Sequence, residues 1–295
     1  MLLNMDCFGV RSLHDDHAAT QQFLFADFHR SIHIHHTSLQ LDDDSRDFSG
    51  SQGQLIMVAE GLGPEDGVQR ASTIAVDAVT KYLLNAFQIA EQARVGDSLF
   101  EEKLLEALEH CQQTMRREGD VIEAHYGMGA EVTVAYIVWP DLYVVQAGRT
   151  SCCLWRNAAV TSVGRAAPSE VVGGVAKKLT PVFSHTDLRL GDKLLLCSHG
   201  VRQVMDDFQV TAILNQQQSA ERLSTELADS ARLAGCDEAT VVVACFDGGV
   251  SPEPAVQRET VPVEDAEAAD RQKEPVPLSV SSSIDDGADR GAARE

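Results

Sequence analysis

The sequence predicts an α+β fold in which two antiparallel β-sheets are flanked by helix pairs, as a four-layer α-β-β-α sandwich. Apolar stretches of strand length occur in runs, with helix pairs between the runs. Two long segments, 70–93 and 97–117, carry apolar residues at the three- and four-residue spacing of amphipathic helices. This grouping is typical of layered α+β proteins, because a parallel sheet would instead show strict alternation of strand and helix.

The remaining elements follow in chain order. Residues 20–38 and 53–59 are predicted as strands separated by a polar loop, and they precede the two long helices. The next predicted strands are 129–138, 141–147, 151–156 and 159–163. A loop-rich stretch over 164–180 is followed by strands at 181–186 and 193–198, helices at about 203–215 and 219–234, and a last strand at 239–247.

Composition limits the classes of partner. The chain has 295 residues with 44% hydrophobic content, which is enough for a sizeable core. Its formal net charge is −21, from 45 acidic and 24 basic residues. Nucleic acids are bound through clustered Lys and Arg, so the charge argues against a nucleic-acid partner.

The sequence also indicates a cytoplasmic protein. The first residues do not show a basic region followed by a long apolar stretch, so no signal peptide is expected. No apolar run approaches the roughly 18 residues of a membrane span, and no membrane partner is expected. The seven cysteines show no C-x-x-C spacing, and Cys197 and Cys245 lie in apolar runs as small core residues do.

A change of composition divides the chain near residue 250. The last segment is rich in Pro, Ser, Ala and acidic residues, has no aromatic residue, and carries 11 acidic against five basic side chains. Such a segment buries too little apolar surface to offset its loss of entropy on ordering. We therefore expect one domain over 1–249 and an acidic, disordered tail over 250–295.

Four short polar spots stand at the ends of apolar runs or next to them. They are Asp15-Asp16, Glu60-Gly61, His199-Gly200 and Asp237-Glu238. Buried strands that release carboxylates at their ends can gather oxygen ligands for divalent cations from distant parts of a sequence. Each spot alone is also compatible with a turn or a helix cap.

Six stretches, taken in order, resemble the motifs of one family. They are RSLHDD (11–16), VAEGLG (58–63), MGAE (128–131), GRTSCCL (148–154), GDKLLLCSHGV (191–201) and DEATVVV (237–243). They are similar to R-x-x-N-[E/Q]-D, V-A-D-G-M-G, M-G-T-T, G-D-S-R-x-Y-L, G-D-x-L-L-L-C-S-D-G-L and D-N-[I/A]-T-V-V-V. These are the motifs of the metal-dependent type 2C (PPM) protein serine/threonine phosphatases, and the resemblance covers residues 9 to 247. It implies the same sandwich fold.

The resemblance also implies a chemistry. Two divalent cations, Mn²⁺ or Mg²⁺, would activate a water that hydrolyses phosphoserine or phosphothreonine in a phosphoprotein, the product of a serine/threonine kinase system. Arg11 would bind the substrate phosphate. The implied metal ligands are Asp15, Asp16, Glu60, Gly61, His199 and Asp237.

Departures from these motifs leave two functions open. Glu60 is one methylene longer than the family's bridging aspartate, and His199 offers a neutral nitrogen in place of a carboxylate, so Mn²⁺ is favoured over Mg²⁺. Arg149 stands where the family carries an aspartate, and Glu238 replaces an asparagine and offers a further oxygen. The chain is thus expected to be a weakened metal-dependent protein serine/threonine phosphatase; the alternative is an inactive pseudophosphatase that acts as a phosphoprotein-binding or regulatory module.

Overall fold

The structure is a computed structural model that describes residues 4–13, 19–28, 33–39, 53–90, 97–164, 171–175 and 178–247. The predicted tail, 250–295, lies outside these residues. The described helices are α1 (Glu65–Ala90), α2 (Asp97–Val121), α3 (His199–Val204), α4 (Asp207–Leu214) and α5 (Ala220–Leu233), with a short 3-10 helix at Glu123–His125. The described strands are β1 (Asn4–Leu13), β2 (Gln21–Asp27), β3 (His33–Thr37), β4 (Gln54–Leu62), β5 (Gly129–Val138), β6 (Asp141–Ala147), β7 (Ser151–Arg156), β8 (Ala159–Ser162), β9 (Val172–Gly173), β10 (Val182–Asp187), β11 (Lys193–Cys197) and β12 (Glu238–Asp247).

The strands form two antiparallel sheets, as predicted. The five-stranded sheet has the order β1-β12-β11-β7-β8. The seven-stranded sheet has the order β10-β6-β5-β4-β2-β3, and β9 pairs with β5. Helix α1 packs on β4, and α5 packs on β1 and β12. The four-layer α-β-β-α sandwich is therefore confirmed.

Side-chain alternation separates three apolar layers. In β4, Leu55 and Met57 belong to the cluster that packs beneath α1 and α2, while Ile56 and Val58 belong to the cluster between the two sheets. In β12, Val241 and Val243 face the other helices, and Val242 and Ala244 face the inter-sheet layer. Because these strands are buried on both faces, they appear in the sequence as continuous apolar runs.

Strand β1 was not predicted from the sequence. It pairs with β12 along its full length, from Asn4 opposite Asp247 to Leu13 opposite Glu238. Its residues include Asn, Asp and Gly, which have low strand propensity, so pairing with a strong apolar strand decides its conformation. The predicted strand 20–38 is likewise two strands, β2 and β3.

The single helix predicted over 203–215 is wrong. Two short helices, α3 and α4, occupy this part of the chain. Asp206 starts α4 with a capping box, because its side chain accepts from the Gln209 backbone N–H and the Gln209 side chain accepts from the Asp206 N–H. None of the helices in the described ranges has the length and apolar character needed to cross a membrane.

Candidate functional site

The inter-sheet apolar layer ends in polar side chains at one end of the sandwich. Alternation along the strands places five residues on the inter-sheet faces there, and we call this group the polar end: Arg11, Gln21, Glu60, Glu131 and Glu238. Register aligns three of them in neighbouring strands, with Gln21 opposite Glu60 and Glu60 opposite Glu131. The fold thus gathers the ends of β1, β2, β4, β5 and β12 into one candidate site.

Glu131 is a site residue that the sequence analysis did not single out. Its side chain is 1% exposed, and its Oε1 accepts from Nε of Arg149 at 2.7 Å. Its second oxygen, Oε2, is buried without a hydrogen-bond partner. A charged residue within the otherwise apolar run of β5 was the signal that could have identified it, because carboxylates are rarely buried unless they are paired.

The turn that carries Arg149 is closely fitted to Glu131. Gly148 adopts φ +94, a conformation that favours glycine. A Cβ at Gly148 would lie 2.5 Å from Cγ of Glu131. Any larger residue there would displace the glutamate, so the turn after β6 and the buried carboxylate form one structural unit.

Glu60 and His199, both expected as metal ligands from the sequence, are in contact at the polar end. The backbone N–H of His199 donates to Oε2 of Glu60 at 3.1 Å. Burial raises the pKa of the Glu60 carboxyl; the His199 N–H opposes this shift, Glu131 adds to it, and Arg149 acts against it. Burial, followed by the positive charge of Arg149, lowers the pKa of the His199 imidazole, so this ring is uncharged at neutral pH.

Glu238 does not offer free oxygens. Its carboxylate accepts from the backbone N–H of Thr20 at 2.9 and 3.1 Å, from the Thr20 hydroxyl, and from the backbone N–H of Gln21 at 3.0 Å. The extra oxygen ligand considered at position 238 is therefore engaged with the start of β2. This contact joins the five-stranded sheet to the seven-stranded sheet.

The other predicted site residues have different surroundings. Arg11 donates through Nη1 to the Gln21 carbonyl at 2.7 Å and to Oε1 of Gln22 at 3.2 Å. Gly61 is so enclosed that a Cβ would lie 1.9 Å from the Val68 carbonyl oxygen. Asp237 is exposed immediately before β12. Asp15 and Asp16 lie outside the described residues.

The described residues do not fit a preformed two-metal centre. Among them, the one group of three metal-ligand side chains whose donor atoms lie within 4.8 Å of one another is Asp141, His185 and Asp187, at the opposite end of β6 from Arg149. At the polar end, Glu238 is engaged with backbone amides and Glu131 with a guanidinium. An ion bound to the same Glu131 oxygen, at about 5 Å from the guanidinium, would be repelled by roughly 7 kcal/mol at an effective dielectric constant of about 20. Solvent lowers this value, because Arg149 is 39% exposed.

Known structures share this architecture. No family model matches the sequence, and no curated protein shows significant sequence similarity. The structure is similar to the serine/threonine phosphatase of S. agalactiae, with a TM-score of 0.66 and 14% identity over 83% of this chain and 100% of that chain. It is also similar to the Mycobacterium tuberculosis serine/threonine phosphatase PstP/Ppp, with a TM-score of 0.60 and 19% identity over 84% of this chain and 100% of that chain.

A third similar structure contains metal. It is the catalytic domain of the serine/threonine phosphatase PstP in complex with two manganese ions, with a TM-score of 0.61 and 18% identity over 83% of this chain and 99% of that chain. Identities of 14–19% show a shared fold and do not transfer an activity. The structural similarities agree with the fold expected from the resemblance to the type 2C phosphatases. The chain therefore has the fold of the bacterial serine/threonine phosphatases.

Proposed function

We propose that the protein is a phosphatase-fold module that binds phosphoserine- and phosphothreonine-containing proteins without hydrolysing them through a two-metal centre. The main support for this proposal is that the carboxylates of the polar end are engaged by groups of the protein itself. Arg149 pairs with Glu131, the His199 N–H binds Glu60, and the amides of Thr20 and Gln21 bind Glu238. Metal ligation through the oxygens of these contacts would require the contacts to be exchanged for bonds to ions.

Positive groups at the polar end support phosphate binding. Arg11 lies on the inter-sheet face of β1, and its planar guanidinium matches the geometry of phosphate oxygens. Arg149 is 39% exposed while it neutralises Glu131, and a guanidinium can bind two acceptors at once. The expected clients are phosphoproteins of a cytoplasmic serine/threonine kinase system, which remains a prediction from the sequence.

Metal-dependent hydrolysis is the second candidate function. Two observations favour it: Asp237 is exposed and thus accessible to an ion, and the similar PstP structure contains two manganese ions. In that case Glu60, His199 and Asp237 would hold cations together with Asp15 and Asp16. The ions would supply an activated water at neutral pH.

An assay of hydrolysis separates the two functions. An aryl phosphate and a phosphothreonine peptide are incubated with the protein in Mg²⁺, Mn²⁺ or Zn²⁺, and Asp237→Asn is the control. We expect no turnover that distinguishes wild type from this variant. If wild type hydrolyses either substrate and Asp237→Asn does not, the binding-only proposal is rejected and phosphatase activity is established.

Phosphopeptide binding is measured in parallel by fluorescence anisotropy. We expect the phosphothreonine peptide to bind at least about tenfold more tightly than its unphosphorylated form, because a charged hydrogen bond contributes roughly 1.5–3 kcal/mol. Arg11→Met should remove this preference. Arg222→Met, at an exposed position of α5, is the matched control and should retain it. Equal affinity for both peptides would refute the proposal.

A further inference from the structure

We propose that Glu60 and Glu131 form a two-carboxylate cation site whose built-in occupant is the guanidinium of Arg149. Removing that guanidinium would then turn the pair into a site for one divalent cation, with Mn²⁺ as the test ion. The inference rests on the proposed function in one respect: it assumes that the wild-type polar end holds no catalytic metal pair.

Glu60 and Glu131 are directly opposite each other on antiparallel strands β4 and β5, both on the inter-sheet face. Like charges in directly opposed positions destabilise a sheet. Because Glu131 is only 1% exposed, water does not screen this repulsion well. A buried pair of this kind requires a positive partner.

Arg149 supplies that positive partner. Its Nε lies 2.7 Å from Oε1 of Glu131, and the close packing of Gly148 on Glu131 fixes the turn that carries it. The charge of Arg149 also acts on Glu60, whose pKa it lowers against the effect of burial. Arg149 therefore pairs directly with Glu131 and offsets part of the cost of burying Glu60 as a carboxylate.

Arg149 leaves one oxygen of Glu131 unused. Oε2 of Glu131 is buried and has no hydrogen-bond partner. Glu60 receives a hydrogen bond on Oε2 from His199. The pair thus retains acceptor capacity beyond what the guanidinium occupies. Carboxylate oxygens of this kind are ligands that Mn²⁺ and Mg²⁺ prefer.

A second ion pair in the chain provides a matched comparison. Arg156 binds Asp192 through two contacts, Nε to Oδ1 at 2.8 Å and Nη2 to Oδ2 at 2.6 Å, and Asp192 is 2% exposed. The Arg189 backbone N–H also binds Asp192. Both carboxylate oxygens are satisfied there, and Asp192 lies just before β11, outside the paired residues of that strand. Loss of Arg156 should weaken the fold without creating a cation site.

The test measures thermal stability and Mn²⁺ binding. Purified full-length wild type, Arg149→Met and Arg156→Met are melted in EDTA and in excess Mn²⁺, and bound Mn²⁺ is counted by electron paramagnetic resonance. We expect both variants to lose roughly 5 °C in Tm in EDTA. Mn²⁺ should restore at least half of the loss in Arg149→Met and none in Arg156→Met. Arg149→Met should bind one more Mn²⁺ than wild type, so any ion held by Asp141, His185 and Asp187 cancels in the comparison.

Further variants keep the proposal falsifiable. Glu60→Gln added to Arg149→Met should abolish both the restored stability and the additional ion. If Arg149→Met fails to fold in EDTA, it should fold in Mn²⁺, and the double variant Glu131→Gln with Arg149→Met should fold without dependence on Mn²⁺. The proposal is overturned if Arg149→Met gains no ion, if Mn²⁺ rescues Arg156→Met equally, or if Glu60→Gln leaves the gain intact. These readouts do not depend on hydrolysis or peptide binding, so the proposed function can fail separately.

Discussion

The backbone N–H of His199 donates to Oε2 of Glu60 at 3.1 Å. This hydrogen bond joins the start of α3, which follows the five-stranded sheet, to the end of β4 in the seven-stranded sheet. The resemblance to type 2C phosphatases implied that both residues would share a metal. In the structure they are instead in direct contact, and the contact uses the His199 backbone and leaves the imidazole out.

The stability of the protein should depend on pH through Glu60. Burial raises the pKa of this carboxyl above its ordinary value of 4.5, so the folded state retains the proton more strongly than the unfolded chain. Wild type should therefore lose stability relative to Glu60→Gln as pH rises from about 4.5 through the raised pKa, and the difference should level off above it. Urea unfolding of both proteins between about pH 4 and 8 measures this.

Gln217→Asn is the control for that experiment, because Gln217 is exposed and neither side chain carries an ionisable group. Its stability should remain parallel to wild type across the range. A constant difference between wild type and Glu60→Gln at all pH values would contradict the prediction.

Replacing Glu238 should destabilise the junction between the two sheets. In Glu238→Ala the backbone N–H groups of Thr20 and Gln21 lose their acceptor, and an unsatisfied buried donor costs about 1–3 kcal/mol. We expect a loss of roughly 2–4 kcal/mol in the free energy of unfolding, measured by urea denaturation in EDTA. Asp237→Ala changes the exposed neighbouring residue and should stay within about 0.5 kcal/mol of wild type. Equal effects of the two substitutions would show that the Glu238 contacts contribute little.

Returning the family's residues to positions 60 and 199 should produce metal-dependent hydrolysis only if Arg149 is replaced as well. The double variant Glu60→Asp with His199→Asp restores the family's aspartate at both positions, but the Arg149 guanidinium still repels an ion there. Adding Arg149→Asp should raise Mn²⁺-dependent hydrolysis of an aryl phosphate at least about tenfold over the double variant, which corresponds to about 1.4 kcal/mol in the barrier. Arg156→Asp in the same background is the control. If the double variant already reaches the rate of the triple variant, Arg149 does not limit metal binding.

The capping box at Asp206 should stabilise the start of α4. Asp206→Ala removes the acceptor of the Gln209 backbone N–H, and loss of such a cap typically costs about 1 kcal/mol. Thermal melting should show a decrease of about 2–4 °C for a domain of this size. Asp206→Asn retains a capping oxygen and should recover most of the loss. A full loss in Asp206→Asn would mean that the carboxylate charge, and not the cap, is what stabilises α4.

The order of strand runs and helix pairs was sufficient to predict the fold. Sheets that are buried on both faces require long apolar runs, and the helices that cover them require an apolar stripe. Predicted boundaries failed where local residues contradict the pattern. Strand β1 contains polar residues but pairs with β12, and within a stretch that looked continuous α3 ends at Val204 and Asp206 caps α4. The thiols of Cys197 and Cys245 were correctly predicted to be core residues.

The sequence by itself determined the sandwich and the strand ends at which Glu60 and His199 lie, because the periodicity of side chains fixes which face of a strand each residue occupies. Only the tertiary structure decided what those residues contact. Glu131 and Arg149 are 18 residues apart, and Glu238 and Thr20 are 218 apart. Contacts over such separations depend on strand register and on the packing of one sheet against the other, which local patterns do not encode. The pairing of Glu131 with Arg149, which changes a candidate metal centre into an internally neutralised one, is a property of that packing.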